Sequence, residues 1–143
     1  MYRHALSGER LTIELTESML VAEPDNAARI LGELKDSAVT IAMDDFGTGY
    51  SNLATLKRLP IDVLKIDRSL VSGMMEDGEK VAIVRAIQSL AATLGLSVTA
   101  EGVETADVAR LLGALGCATG QGYHFARPME QRDALSFALA SGL

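Results

Sequence analysis

The chain of 143 residues has a single cysteine, Cys117, so it cannot close an internal disulfide, and it suits a reducing cytoplasm. Its two histidines, His4 and His124, lack zinc-like partners, which argues against a zinc site. Positive charge is not in excess. Thirteen Lys and Arg against nineteen Asp and Glu leave a formal net charge of −6, which argues against broad binding to a nucleic-acid backbone. An anionic ligand would have to be met locally, by metal ions or a few placed donors. Long apolar runs are missing as well. The most apolar stretch, "VAIVRAIQSLAATLGL", is broken by Arg85 and Gln88 and is too short to span a bilayer. The opening "MYRHALSGERLTIEL" lacks the uninterrupted apolar segment and small-residue cleavage site of a secretory signal. No linker or low-complexity segment marks a boundary. With 48% hydrophobic residues, the chain has enough apolar material for one domain with a real core.

What is present is an alternation of short β-rich runs and helical patterns. "RLTIEL", "VTIAM", "IDVLKI" and "LSVTA" read as strands, and "CATGQGY" as a weaker one. Between them, "DNAARILGELK" places Ala27, Ile30, Leu31 and Leu34 on one helical face. "SNLATLKRL" starts at a Ser51 cap and stops at Pro60. "EKVAIVRAIQSLAATL" repeats apolar residues at Val81, Val84, Ile87, Ala91 and Leu94 before a Gly95 stop. "TADVARLLGAL" begins at Thr105, and "QRDALSFALA" closes the chain. About five βα units imply parallel strands covered by helices, as an open doubly wound sheet or as part of a (β/α)8 barrel.

The strand ends favour the barrel. "LTIEL" delivers Glu14, with Glu17 just beyond; "TIAMDD" delivers Asp44 and Asp45; "DVLK" delivers Lys65; "SVTAE" delivers Glu101; "TGQGY" delivers Gln121. In a barrel these ends share one face, where such folds build active sites. Five units cannot close an eight-stranded barrel of about 250 residues, so the chain reads as the C-terminal part of one, with edge strands prone to self-association. The carboxylate cluster suits hard cations such as Mg²⁺ or Mn²⁺ and two-metal hydrolysis of a phosphate ester. Adjacent aspartates on a strand would point to opposite faces, but a turn starting at Asp45 can bring both towards metal ions. Lys65 could orient water or stabilise transition-state charge, and Glu101 could accept a proton. A Schiff-base role for Lys65 loses, because the surrounding acids keep it charged. Singly, each residue also has a mundane reading; Lys65 could simply neutralise Asp45 or Asp67. Arg127 reads either as a contact to phosphate or guanine or as a surface salt-bridge residue.

"ELTES" (14–18), "DDFGTGYS" (44–51), "LKIDRSLV" (64–71), "TAEGVET" (99–105) and "GQGYHFARP" (120–128) resemble, in order, the motifs of the EAL domain family, bacterial phosphodiesterases that hydrolyse cyclic di-GMP to the linear dinucleotide pGpG. The resemblance covers nearly the whole chain, so residues 1–143 read as a partial EAL domain. It implies that Glu14, Asp44 and Asp45 are metal ligands for Mg²⁺ or Mn²⁺, and that Lys65 and Glu101 act on the attacking water. It implies that the loop from Phe46 through Gly47, Thr48 and Gly49 to Ser51 couples metal, substrate and dimerisation, and that Glu17 anchors this loop. Glu104 and Gln121 would lie near the substrate, and a homodimer in the cytoplasm is expected. The Glu-Ala-Leu motif and an asparagine ligand that the family carries before "ELTES" are not in this sequence. Three readings stay open: a C-terminal part of a phosphodiesterase, a non-catalytic remnant that binds nucleotide or a protein partner, and an oligomer in which another chain completes the barrel.

Overall fold

The computed structural model describes residues 7–16, 24–47 and 53–141. A 3₁₀ turn (Gly8–Arg10) leads into β1 (Thr12–Thr16), followed by α1 (Pro24–Lys35), β2 (Thr40–Phe46), α2 (Leu53–Arg58), β3 (Val63–Ile66), α3 (Arg68–Val71), α4 (Gly78–Leu94), β4 (Ser97–Ala100), α5 (Ala106–Ala114), β5 (Thr119–Gly120) and α6 (Gln131–Ser141). The five strands form one sheet in the order β1-β2-β3-β4-β5, every pair parallel. A doubly wound sheet reverses its strand order at a switch point. This sheet has no reversal, so it is the sequential arc of a barrel, and the strand-end reading holds.

Local chemistry explains the elements. Asp77 caps α4, its carboxylate accepting from the amides of Glu79 and Lys80, and Gly95 closes the helix at φ 72°. Val84, Ile87 and Ala91 bury one stripe of α4. Thr105 caps α5 by accepting from the Val108 amide. On α1, Leu31 is buried, with Ala27, Ala28 and Leu34 packed against the core. Ile30, expected on that face, is 42% exposed, because the stripe rotates towards Ala28. The weak fifth strand shrinks to Thr119–Gly120, although the Gln121 amide still donates to the Ala100 carbonyl at 2.8 Å. The Ser51 cap lies outside the described residues.

Strand alternation sorts the two faces of the sheet. Ile41 and Met43, Leu64 and Ile66, and Val98 and Ala100 pack into the core under the helices, with Val71, Met74 and Val103 fully buried there. The other face carries Glu14 beside Ala42 and, further along, Asp44 and Lys65. One face is therefore apolar and covered, while the other carries the charge.

The opposite end of the sheet has its own charged node, just before β3. The Asp62 carboxylate accepts from Lys35 Nζ at 2.8 Å on both oxygens and from the Ile41 amide at 2.8 Å. Partial burial works against its ionised form, but the Lys35 hydrogen bond, the Ile41 amide and the Lys35 charge outweigh it and lower its pKa. A carboxyl with a folded-state pKa below its unfolded value stabilises above the unfolded value and loses that stabilisation as pH falls through the folded one. Asp62→Ala is therefore expected to cost about 1–2 kcal/mol at pH 7, since both partners are partly exposed. The difference from wild type should shrink below about pH 4. Urea unfolding at pH 7 and pH 3 checks it; an undiminished difference at pH 3 would contradict the ion-pair account.

Candidate active site

Lys65 is the one buried charged side chain among the described residues, 5% exposed. Its Nζ reaches Glu101 Oε1 at 2.5 Å, Glu14 Oε2 at 2.7 Å and Asp44 Oδ1 at 3.2 Å. An ammonium has three protons to donate, and three carboxylates receive them. Each acid comes from a different strand: Glu14 from β1, Asp44 from β2, and Glu101 from the residue after β4. Glu101 is fixed there because its amide donates to the Ile66 carbonyl at 3.0 Å, which extends the β3–β4 pairing by one step.

Burial alone would lower the Lys65 pKa, but the hydrogen bonds it donates to Glu101, Glu14 and Asp44, with the Glu101 charge, outweigh it and raise it well above the ordinary lysine value. A nucleophilic amine needs the reverse. The partners are also not the Asp45 or Asp67 of the mundane reading. Asp67 instead caps α3 by accepting from the Ser69 amide.

The paired aspartates are separated by a bulge. Between Met43 and Phe46 the register of β2 against β3 shifts, so three steps along β2 match two along β3. Asp45 supplies the extra residue at φ 57°, a left-handed conformation that aspartate tolerates better than most side chains. Asp44 thus stays on the Lys65 face, and Asp45, the extra residue of the bulge, is exposed. Phe46 ends the strand as a core residue, 4% exposed. At Gly47 an added Cβ would lie 2.7 Å from Leu70 Cδ1. Glu17, Thr48 and Gly49 lie outside the described residues.

Beside the node lies an open pocket of about 170 Å³ lined by Arg68, Glu101, Gly102, Glu104, Gln121, Gly122 and Tyr123. Glu104 and Gln121, both expected near substrate, meet here. Glu104 Oε1 lies 2.5 Å from Arg68 Nη2. Among the described residues Arg127 forms no salt bridge; its guanidinium stacks 4.6 Å over the Tyr123 ring. Sequence reasoning gave no role to Arg68, although it sits inside the quoted "LKIDRSLV".

The donor set is all oxygen, the chemistry that Mg²⁺ and Mn²⁺ select. Three carboxylates on one ammonium leave a formal surplus of two negative charges, which a cation would offset. Among the described residues, no three histidine, cysteine or acidic side chains stand grouped as a ready metal cage. Glu14, Asp44 and Glu101 instead close on Lys65.

Comparison with known proteins bears on this geometry. A family model described as "EAL domain" matches residues 2–128. The bifunctional diguanylate cyclase/cyclic di-GMP phosphodiesterase MucR of Pseudomonas aeruginosa is 43% identical over 136 residues, covering 95% of this chain and 20% of MucR. A solved MucR phosphodiesterase in complex with c-di-GMP superposes with a TM-score of 0.86 at 44% identity, over 92% of this chain and 53% of that one. The EAL domain of Mycobacterium smegmatis DcpA gives 0.84 at 41% identity, over 92% and 58%. A manganese/c-di-GMP complex of Klebsiella pneumoniae BlrP1 gives 0.79 at 36% identity, over 86% and 31%. The chain thus spans about a fifth of MucR and about half of the solved MucR and DcpA chains.

Proposed function

The chain belongs to the EAL domain family, and we propose that residues 1–143 are the C-terminal part of a phosphodiesterase domain that hydrolyses cyclic di-GMP to linear pGpG with Mg²⁺ or Mn²⁺. The observation that carries this reading is the node of Glu14, Asp44 and Glu101 on Lys65 at the strand ends. Water adds to one phosphorus, the bond from that phosphorus to the 3′ oxygen breaks, and the leaving oxygen takes up a proton. Glu14, Asp44 and Asp45 would hold the ions, which when bound supply positive charge to the phosphoryl oxygens. Glu101 takes the proton of the attacking water. Lys65, kept protonated, is no base; it fixes the Glu101 carboxylate and offsets charge on the phosphoryl group. The pocket walled by Glu104 and Gln121 would receive part of the nucleotide.

A cytoplasmic location and self-association belong to the same reading. The free, buried Cys117 supports the first. The second is supported by Leu135 and Leu139 on α6, exposed at 64% and 74%. The test is cyclic di-GMP turnover by the native protein carrying this chain, with Mg²⁺ and with Mn²⁺. Linear dinucleotide is expected from wild type, with Asp44→Asn slower by roughly 10²–10³. A folded wild type that neither binds nor opens cyclic di-GMP with either ion would overturn the proposal.

A further inference from the structure

Two cation–carboxylate rungs join the exits of β3 and β4. Lys65 and Arg68 leave β3 three residues apart, and Glu101 and Glu104 leave β4 three residues apart. Lys65 pairs with Glu101 and Arg68 with Glu104, each at 2.5 Å. The inner rung is deep, with the Lys65 side chain 6% exposed; the outer rung stands at the pocket mouth, with Arg68 at 62% and Glu104 at 47%. Between Glu101 and Glu104 the chain turns at Gly102, φ +67°, and a Cβ there would lie 2.2 Å from Arg68 Cγ and 2.8 Å from Arg68 Cβ. The stem of Arg68 therefore covers the turn while its head grips the acid two residues on.

We infer that Arg68 is a positioning residue that clamps the 101–104 turn and holds Glu104 in the wall of the substrate pocket. The inference deepens the phosphodiesterase reading and rests on it for the substrate. A surface ion pair by itself contributes little; here the guanidinium works with a packed stem and a glycine that leaves room for it. The inner rung has independent support, since Glu14 and Asp44 also hold Lys65. Loss of the outer rung should therefore disturb how the pocket receives the nucleotide more than how the phosphate is attacked.

The native protein is compared with Arg68→Ala and Arg68→Lys in two measurements. In steady-state kinetics with cyclic di-GMP, Arg68→Ala is expected to raise KM about tenfold with kcat within about twofold. Arg68→Lys should recover part of the loss, because a lysine replaces the charge but not the planar fork. Unchanged KM in Arg68→Ala, or a kcat loss as large as that of Lys65→Ala, would overturn the inference. The second measurement needs no turnover. The Val103 amide donates to the Gln121 carbonyl at 3.0 Å, and its hydrogen exchange should quicken in Arg68→Ala while the Val84 amide in α4 is unaffected. Equal exchange at Val103 overturns the clamp, even if the protein proves to be no phosphodiesterase. Faster exchange without turnover would uphold the clamp while the phosphodiesterase reading fails.

Discussion

Replacing Lys65 by alanine is expected to abolish turnover, by roughly 10³ or more, and to destabilise the fold by about 3 kcal/mol at neutral pH. The two effects have one origin. Glu14, Asp44 and Glu101 all converge on Nζ, and without it three carboxylates face one another across the space that Lys65 fills. Glu14 stays 47% exposed and Asp44 24%, so water relieves part of the repulsion and keeps the loss below that of a sealed pair. The stability deficit should depend on pH. In the variant the three acids repel one another in the folded state for as long as they are ionised, and protonation removes that repulsion. The deficit should be largest at pH 7–8 and shrink towards about pH 4. Urea midpoints across that range, with turnover measured on the same samples, check both halves. A deficit that is the same at pH 7 and pH 4 would mean that lost packing, not charge, is responsible.

The second large effect is expected at Gly122. A Cβ there would sit 2.3 Å from the Val103 carbonyl oxygen and 2.4 Å from the Val103 nitrogen. Those are backbone atoms and cannot rotate away. They also belong to a two-sided tie, with the Val103 amide donating to the Gln121 carbonyl at 3.0 Å and the His124 amide to the Val103 carbonyl at 2.9 Å. Gly122→Ala must push the two segments apart and break at least one of these bonds. About 2–3 kcal/mol of stability should be lost. Glu104 and Gln121 lie on the two sides of this tie, so nucleotide binding should weaken with it. Thermal unfolding and calorimetric titration with cyclic di-GMP test it. A variant with unchanged Tm would show that the close approach is not tight in solution.

Much of the site was legible because strand chemistry is local. A run of apolar residues that ends in an acid or lysine announces a side chain at a strand terminus, and parallel order then puts those termini on one face. That logic located Glu14, Asp44, Lys65, Glu101 and Gln121. It could not foresee the bulge at Asp45, which depends on the register shift against β3 and a φ of 57° there. Nor could it pair Lys65 correctly. Asp67 is closer in sequence than any of its actual partners, yet that side chain is engaged at the α3 cap. Arg68 and Asp62 were passed over for the same reason, since their partners lie 36 and 21–27 residues away. In hindsight the matched spacing of Lys65 to Arg68 and of Glu101 to Glu104 was a visible signal.

By itself the sequence determined the βα alternation, the helix stop at Gly95 and the helix start at Thr105, the oxygen-only character of the site and the family to which its motifs belong. Those properties depend on side-chain periodicity, capping groups and residue type, all of which act within a few positions along the chain. The tertiary structure alone decided that the strands run in unbroken order, that three acids share one buried ammonium, and that a bulge falls at Asp45. It also decided that Arg68 grips Glu104 across the Gly102 turn. These are distances between residues far apart in the chain, fixed only when strand register and helix packing bring the segments together.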